Sequence, residues 1–155
     1  MNTNEQLINT FYTCFKNKDY KGMQACYADN ATFSDAVFKN LNAEQVRAMW
    51  EMLLLKSKDM RLEFSEVSAN ETTGKAHWDA YYTFSSTGKK VINRIDASFE
   101  IENGKITKHV DHFDFYTWAK QALGLSGILL GWTGFLKNKI QATAMKNLDN
   151  FMKRS

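Results

Sequence analysis

The chain has 155 residues, 44% hydrophobic and 14% aromatic, enough for one domain with a closed core and too apolar for a disordered segment. Its net charge of +3 comes from scattered lysines, with no basic patch interleaved with aromatics, so no nucleic-acid partner is expected. Two cysteines, no proline and a polar start, MNTNEQ, point away from a disulfide framework, irregular loops and a secretory leader, and toward a cytoplasmic protein.

In chain order, Thr3-Asn4-Glu5-Gln6 reads as a capping box opening a helix. Leu7, Ile8, Phe11, Cys14 and Phe15 follow at helical spacing, with Tyr12 at the edge of the stripe. Asp19 can cap a shorter second helix carrying Tyr20, Met23, Cys26 and Tyr27. Both cysteines then sit on apolar helix faces and read as buried free thiols. Ala28-Asp29-Asn30 reads as a turn, and residues 31–38 as a first strand with Asp35 in its middle. Asn42 caps a third helix with Val46, Met49, Trp50, Leu53 and Leu54 on one stripe.

Three long strands are expected at 59–68, 75–85 and 90–102, joined by turn chemistry at 70–74 and at Thr87-Gly88. Asn103-Gly104 is the strongest hairpin signal in the chain and introduces a last strand over 105–116. One parity of that strand is His109, Asp111, Phe113, Phe115; the other is Val110, His112, Asp114. Ionisable side chains on a strand aromatic enough to be buried point to a polar pocket within an apolar core. Helices first and strands afterwards define an α+β domain, with helices packed on one face of a curved antiparallel sheet.

The end of the chain is different in kind. After a short helix at 117–123, residues 123–136, LGLSGILLGWTGFL, are apolar and carry four glycines. That run is too short to cross a bilayer and too glycine-rich for a steady helix. A buried turn over the domain or a dimer partner is favoured over membrane contact. A final helix at 136–153 places Ile140, Ala144, Leu148 and Met152 on one stripe. Residues 1–121 are therefore expected to form the domain and 122–155 a helical extension packing on it or across a homodimer.

The order of elements, together with the opening helix, YADNATFSDAVF and FEIENGKITKHVDHFD, resembles the cone-shaped fold of nuclear transport factor 2. Within that superfamily it is similar to the SnoaL-like, ketosteroid-isomerase-like and limonene-epoxide-hydrolase-like branches. The resemblance runs from residue 1 to about 121. It implies a cone-shaped curved antiparallel sheet with the N-terminal helices in its concave face. It specifies activity poorly, because this superfamily contains isomerases, hydrolases, cyclases and non-enzymes.

Side chains of inward parity carry any chemistry. On the fourth strand Ile95, Ala97, Phe99 and Ile101 should face in, and Arg94, Asp96 and Ser98 out. On the third, the residues leave two sets open, His77, Asp79, Tyr81 or Trp78, Ala80, Tyr82. The resemblance to epoxide hydrolases selects the first set, and His109, Asp111 and Phe113 on the last strand. That pattern has an arginine and an aspartate two apart with a second aspartate on the last strand; here the positions hold His77, Asp79 and Asp111. It makes these three the candidate catalytic residues, expected to converge on one cavity. Asp35, Tyr12, Phe15, Trp50, Tyr81, Asn93, Ile95, His109 and Phe113 would line it. The isomerase pattern places its base at Asp35, but its oxyanion tyrosine falls at Phe11, beside Tyr12, and its oxyanion aspartate near Ala97 or at outward Asp96.

No cofactor is expected, and no metal, since His112 has the opposite parity to His109 and leaves no convergent set. Two functions fit: acid–base isomerisation, lysis or hydrolysis of a small apolar or amphipathic molecule, or a non-catalytic module that binds such a ligand or self-associates. In the non-catalytic case the histidines and aspartates simply ion-pair and pin neighbouring strands.

Overall fold

The computed structural model describes residues 2–154. Helix α1 (Thr3–Lys16) and the short α2 (Tyr20–Ala25) precede β1 (Tyr27–Ser34), the two-residue β2 (Leu41–Asn42) and α3 (Ala43–Lys56). Four long strands follow, β3 (Arg61–Ala69), β4 (Thr73–Phe84), β5 (Lys89–Glu102) and β6 (Lys105–His112). The chain ends in α4 (Phe115–Leu123), α5 (Leu125–Leu130) and α6 (Gly134–Arg154).

Local chemistry sets the helix starts. Asn2 caps α1 in a capping box with Glu5, one residue earlier than the sequence signal suggested; Asn42 does the same for α3 with Gln45, and the Asp19 side chain accepts from the Gly22 amide. The six strands form one sheet in the order β2-β1-β6-β5-β4-β3. The pairings are antiparallel except β1 with β6, which is parallel. Register shifts at Ser65/Ser68, Glu100/Ile101 and Tyr27/Thr32 mark bulges, which bend the sheet. Helix α1 lies on β3 and β4, α3 on β1, and α6 on α3, so helices fill the inner face of the curve.

Strand β5 alternates exposed and buried along almost its whole length, with Ile95, Ala97, Phe99 and Ile101 inside and Arg94, Asp96 and Ser98 outside, as the sequence indicates. Phe11, Phe15 and Trp50 are core residues too, and Phe113 packs against the core half-buried. Several expectations need correction. The first strand spans Tyr27–Ser34 and not 31–38, so Tyr27 is a strand residue and Asp35 sits in the turn after the strand. On β4 the buried side chains are Ala76, Trp78 and Ala80, which puts His77, Asp79 and Tyr81 on the outer face. The glycine-rich segment is helical at α5 and does not bury itself: Leu125, Leu129, Trp132 and Phe135 are exposed. Both cysteines are free, Cys26 buried and Cys14 partly so.

Candidate active site

Strand β6 carries His109 and Asp111 into the core two residues apart, where they are 1% and 3% exposed. His109 Nε2 lies 2.9 Å from Asp111 Oδ1, and His109 Nδ1 lies 2.8 Å from the Tyr27 hydroxyl. Trp50, from α3, donates its indole N–H to the same hydroxyl at 2.9 Å. An indole can only donate, so the Tyr27 oxygen accepts from Trp50. In the tautomer that takes the Tyr27 proton at His109 Nδ1, the imidazole donates from Nε2 to Asp111 Oδ1. Phe99, Phe33 and Phe11 surround the imidazole, with ring centroids 4.4, 4.9 and 5.7 Å away.

Asp111 is where this chain meets space. It lines a cavity of about 300 Å³ with Asp35, Trp50, Trp78, Asn93 and Phe113. Helices α4 and α6 close the far side through Trp118, Ile140 and Ala144. Trp118 is held there by an N–H bond to the Tyr82 hydroxyl at 2.7 Å. The lining is largely aromatic and aliphatic; Asp111 and Asn93 are its buried polar side chains, Asp35 is half-buried, and Lys56 and Asn147 also border it.

The second carboxyl, Asp35, folds back on its own turn. Its Oδ1 accepts from the Val37 and Phe38 amides at 2.8 and 2.7 Å. Burial raises its pKa to about 6, the two amide bonds oppose that, and the nearby Asp111 charge adds to it. The sign of the linkage follows: the unfolded value is near 3.9, so the protonated form is favoured by folding and stability is lost as pH rises from about 4 through 6. Asp35→Asn keeps an acceptor for both amides and removes the charge. It should match the wild type near pH 4 and exceed it by on the order of 1–2 kcal/mol at pH 7.5, after a discount for the partial exposure of the carboxyl. Urea unfolding at the two pH values measures this; a difference independent of pH would contradict it.

Tyr12 adds an unmet demand. Its ring is fully buried and stacked on Phe64, and its hydroxyl is the buried side-chain atom left without a hydrogen-bond partner among the described residues. Burial holds the phenol well above its usual pKa, and the Asp111 charge raises it further, so the hydroxyl keeps its proton. Tyr12→Phe removes a group that gains nothing inside. It should leave stability within about 1 kcal/mol of the wild type or slightly higher, read from the urea midpoint.

The trio expected from the sequence does not assemble. His77 bonds Asp79 and Asp96, each at 2.9 Å, and Arg94 reaches Asp79 at 3.4 Å, all on the outer face of the sheet. Asp96 first, then Asp79, make His77 hold its proton more tightly than a free imidazole. Asp111 faces the opposite side, in the core. Tyr81 also lies outside, where Arg61 stacks over its ring at 4.1 Å. Of the expected lining residues, Asp35, Trp50, Asn93, Ile95 and Phe113 do border the cavity, whereas Tyr12, Phe15 and His109 lie in the core behind it. Tyr27 is the member that sequence reasoning missed, because it was assigned to a helix stripe. Its one signal was its place in the stretch YADNATF, which continues into a strand. Among the described residues no cluster of three or more histidine, cysteine, aspartate or glutamate side chains is placed to hold a metal ion.

A bent sheet with helices in its curve and a carboxylate-bearing apolar cavity between them defines the NTF2-like class of small α+β proteins. Within it, residues 8–109 match the model of the SnoaL-like domain, and the chain belongs to that family. A protein assigned as a polyketide cyclase from Xanthomonas campestris overlaps with a TM-score of 0.65 at 17% identity, over 77% of this chain and 96% of that one. An LEH-like epoxide hydrolase of M. tuberculosis gives 0.64 at 17% identity over 83% and 96%. IdmH of Streptomyces antibioticus, also assigned as a polyketide cyclase, gives 0.65 at 17% over 79% and 99%. These likenesses are of fold. No curated protein matches the chain.

Proposed function

We propose that this protein is an acid–base enzyme that moves a proton on a small, mostly apolar carbonyl compound, with Asp111 as base and Asp35 as acid. The observation that carries this reading is the opening of both carboxyls onto one apolar cavity, one of them backed by a hydrogen-bond chain through His109, Tyr27 and Trp50. Asp111 accepts from His109 and is held aimed at the cavity. Asp35, with a pKa of about 6, keeps its proton in roughly a tenth of molecules at pH 7. Two carboxyls in one site, one of them with its pKa raised by burial, are suited to take a proton at one atom and return it at another.

In such a step Asp111 removes a proton from carbon next to the carbonyl, forming an enolate, and Asp35 delivers its own proton elsewhere on the conjugated system. Both carboxyls are reset by exchanging one proton between them or with solvent, so the step needs proton donors and acceptors only. Cyclisation and epoxide opening, the reactions named for some structural relatives, likewise need a proton taken from one atom and given to another. The roles of His77 and Asp79 in this chemistry are withdrawn, since neither reaches the cavity.

The test follows deuterium exchange at the α-carbons of 2-tetralone, a bicyclic ketone, by proton NMR in heavy water. Wild type should accelerate exchange, and Asp111→Asn should lose about a hundredfold or more of that acceleration while still quenching tryptophan fluorescence on binding the ketone. The catalysed rate should fall as pH rises through about 6, where Asp35 gives up its proton, and Asp35→Asn should lose that dependence. Binding without exchange in the wild type would instead identify a ligand carrier. Full activity in Asp111→Asn would remove Asp111 from the mechanism.

A further inference from the structure

Six large apolar side chains, Leu125, Ile128, Leu129, Leu130, Trp132 and Phe135, stand exposed on α5, the turn that follows it and the start of α6. Leu125, Trp132 and Phe135 are 70%, 75% and 76% exposed. A patch of this kind on a small domain marks something that docks there. Two independent observations say what.

The first is charge. From residue 115 to residue 148 the chain contains no aspartate or glutamate, while Lys120, Lys137, Lys139 and Lys146 fall in that span. Geometry gathers several lysines around the patch. Lys120 lies over the Tyr116 ring, whose hydroxyl bonds α5; Lys137 lies over Phe115; and Lys89, from β5, crosses Gly124 at the start of α5. The nearest acid in sequence, Asp114, is occupied in capping α4.

The second is the backbone. The last carbonyls of a helix ordinarily point into water, yet those of α5 are met from within the protein. Gly127 accepts from the Gly131 amide, Ile128 from the Tyr116 hydroxyl, Leu129 from the Trp132 indole, and Leu130 from the Thr133 amide and hydroxyl. Polar backbone satisfied internally beneath an apolar cap is what a hydrocarbon medium requires.

We infer that α5 and the Trp132 turn form a docking tip for an anionic lipid surface, with the apolar side chains entering the interface and the lysines resting on the headgroups. A second copy of this chain is the weaker occupant, because pairing two such tips would set acid-free lysine clusters against each other. Among the described residues no helix is long and apolar enough to cross a membrane, so contact would be with one face only. The cavity shares α4, through Trp118, and the β4–β5 turn, through Ser85 and Ser86, with this end of the molecule. The docking inference stands apart from the catalytic reading and survives its failure.

The test is co-sedimentation of the full chain with vesicles of phosphatidylcholine alone or of equal parts phosphatidylcholine and phosphatidylglycerol. Binding should be strong to the anionic vesicles, weak to the neutral ones, and reduced at about 0.5 M salt. Lys137→Gln with Lys139→Gln should weaken anionic binding by roughly fivefold per lysine. Trp132→Ser with Phe135→Ser should weaken it by roughly tenfold or more while leaving the circular dichroism unchanged and the urea midpoint little moved, since both side chains are exposed and the one internal bond lost is that of Trp132 to the Leu129 carbonyl. The inference is overturned by failure to co-sediment with either vesicle, or by binding indifferent to the Trp132/Phe135 pair. It is equally overturned by a dimer in size-exclusion chromatography that this pair converts to monomer, which would assign the patch to a second copy.

Discussion

Replacing His109 with leucine is expected to destabilise the protein by about 3–5 kcal/mol in urea unfolding near pH 7, the cost of leaving its two buried hydrogen-bond partners without it. Leucine fills much of the space inside the Phe11, Phe33 and Phe99 box, so little of the loss is cavity. The loss comes from the two neighbours. Tyr27 keeps the Trp50 bond but has no acceptor for its own proton, and Asp111 is left with Trp78 Nε1 at 3.5 Å, at the limit of a hydrogen bond. Asp111→Asn makes the contrast, because its amide oxygen still accepts from His109 Nε2 and the chain survives; its cost should stay near 1 kcal/mol. Joining His109→Leu to Asp111→Leu should cost less than the two single leucine changes added together, since the group left stranded by the first is removed by the second. A His109→Leu protein as stable as the wild type would mean that the chain from Trp50 to Asp111 is not formed.

Much of this arrangement was legible before any coordinates. The strict alternation of β5, the Asn103-Gly104 hairpin and the inward parity of His109 and Asp111 were readable because each is a local rule, a pleat of period two or a turn with a fixed preference. What failed was β4. Its buried residues include Ala76 and Ala80, too small to announce burial, while His77 and Asp79 look like a site and proved to be an outer-face cluster tied to Asp96 and Arg94. The deciding information lay in the connection. Phe84 pairs with Lys89 across the four-residue loop Ser85–Gly88, and a loop of even length sets odd-numbered residues of one strand against even-numbered ones of the other. Since β5 buries Ile95 and Ala97, its partners Trp78 and Ala76 had to be buried with them. Parity carried across the hairpin would have outweighed the family pattern that selected His77 and Asp79.

The other gaps are long-range. Tyr27 joins the site because parallel pairing of β1 with β6 lays Phe33 against His109, and no local signal predicts a parallel neighbour. Asp35 was placed in mid-strand and is instead a turn residue whose carboxyl serves both the turn and the cavity. The apolar tail was expected to pack on the domain or on a dimer partner; within the chain, α4 covers only one side of α5 and leaves the other exposed.

That one-sided contact yields the second large effect. Helix α5 backs onto α4 at Gly127, where a Cβ would collide with the Ala119 carbonyl and press on the Lys120 amide. These are backbone atoms in the middle of a helix, so no side-chain rotation can make room. Gly127→Ala must push α5 away or bend α4, which carries Trp118 and its bond to Tyr82. The expected cost is about 3 kcal/mol, the upper range for overpacking, with new protease sensitivity between residues 124 and 133. Gly134→Ala is the matched control. Its Cβ meets nothing within 4 Å and it opens α6, so the same methyl should be neutral or stabilise by up to about 1 kcal/mol through the unfolded chain. Urea unfolding and limited proteolysis of the two variants side by side read the difference directly. Equal stability in both would mean that α5 does not lie against α4 at Gly127, and the internally bonded carbonyls of the lipid-facing tip would lose their support with it.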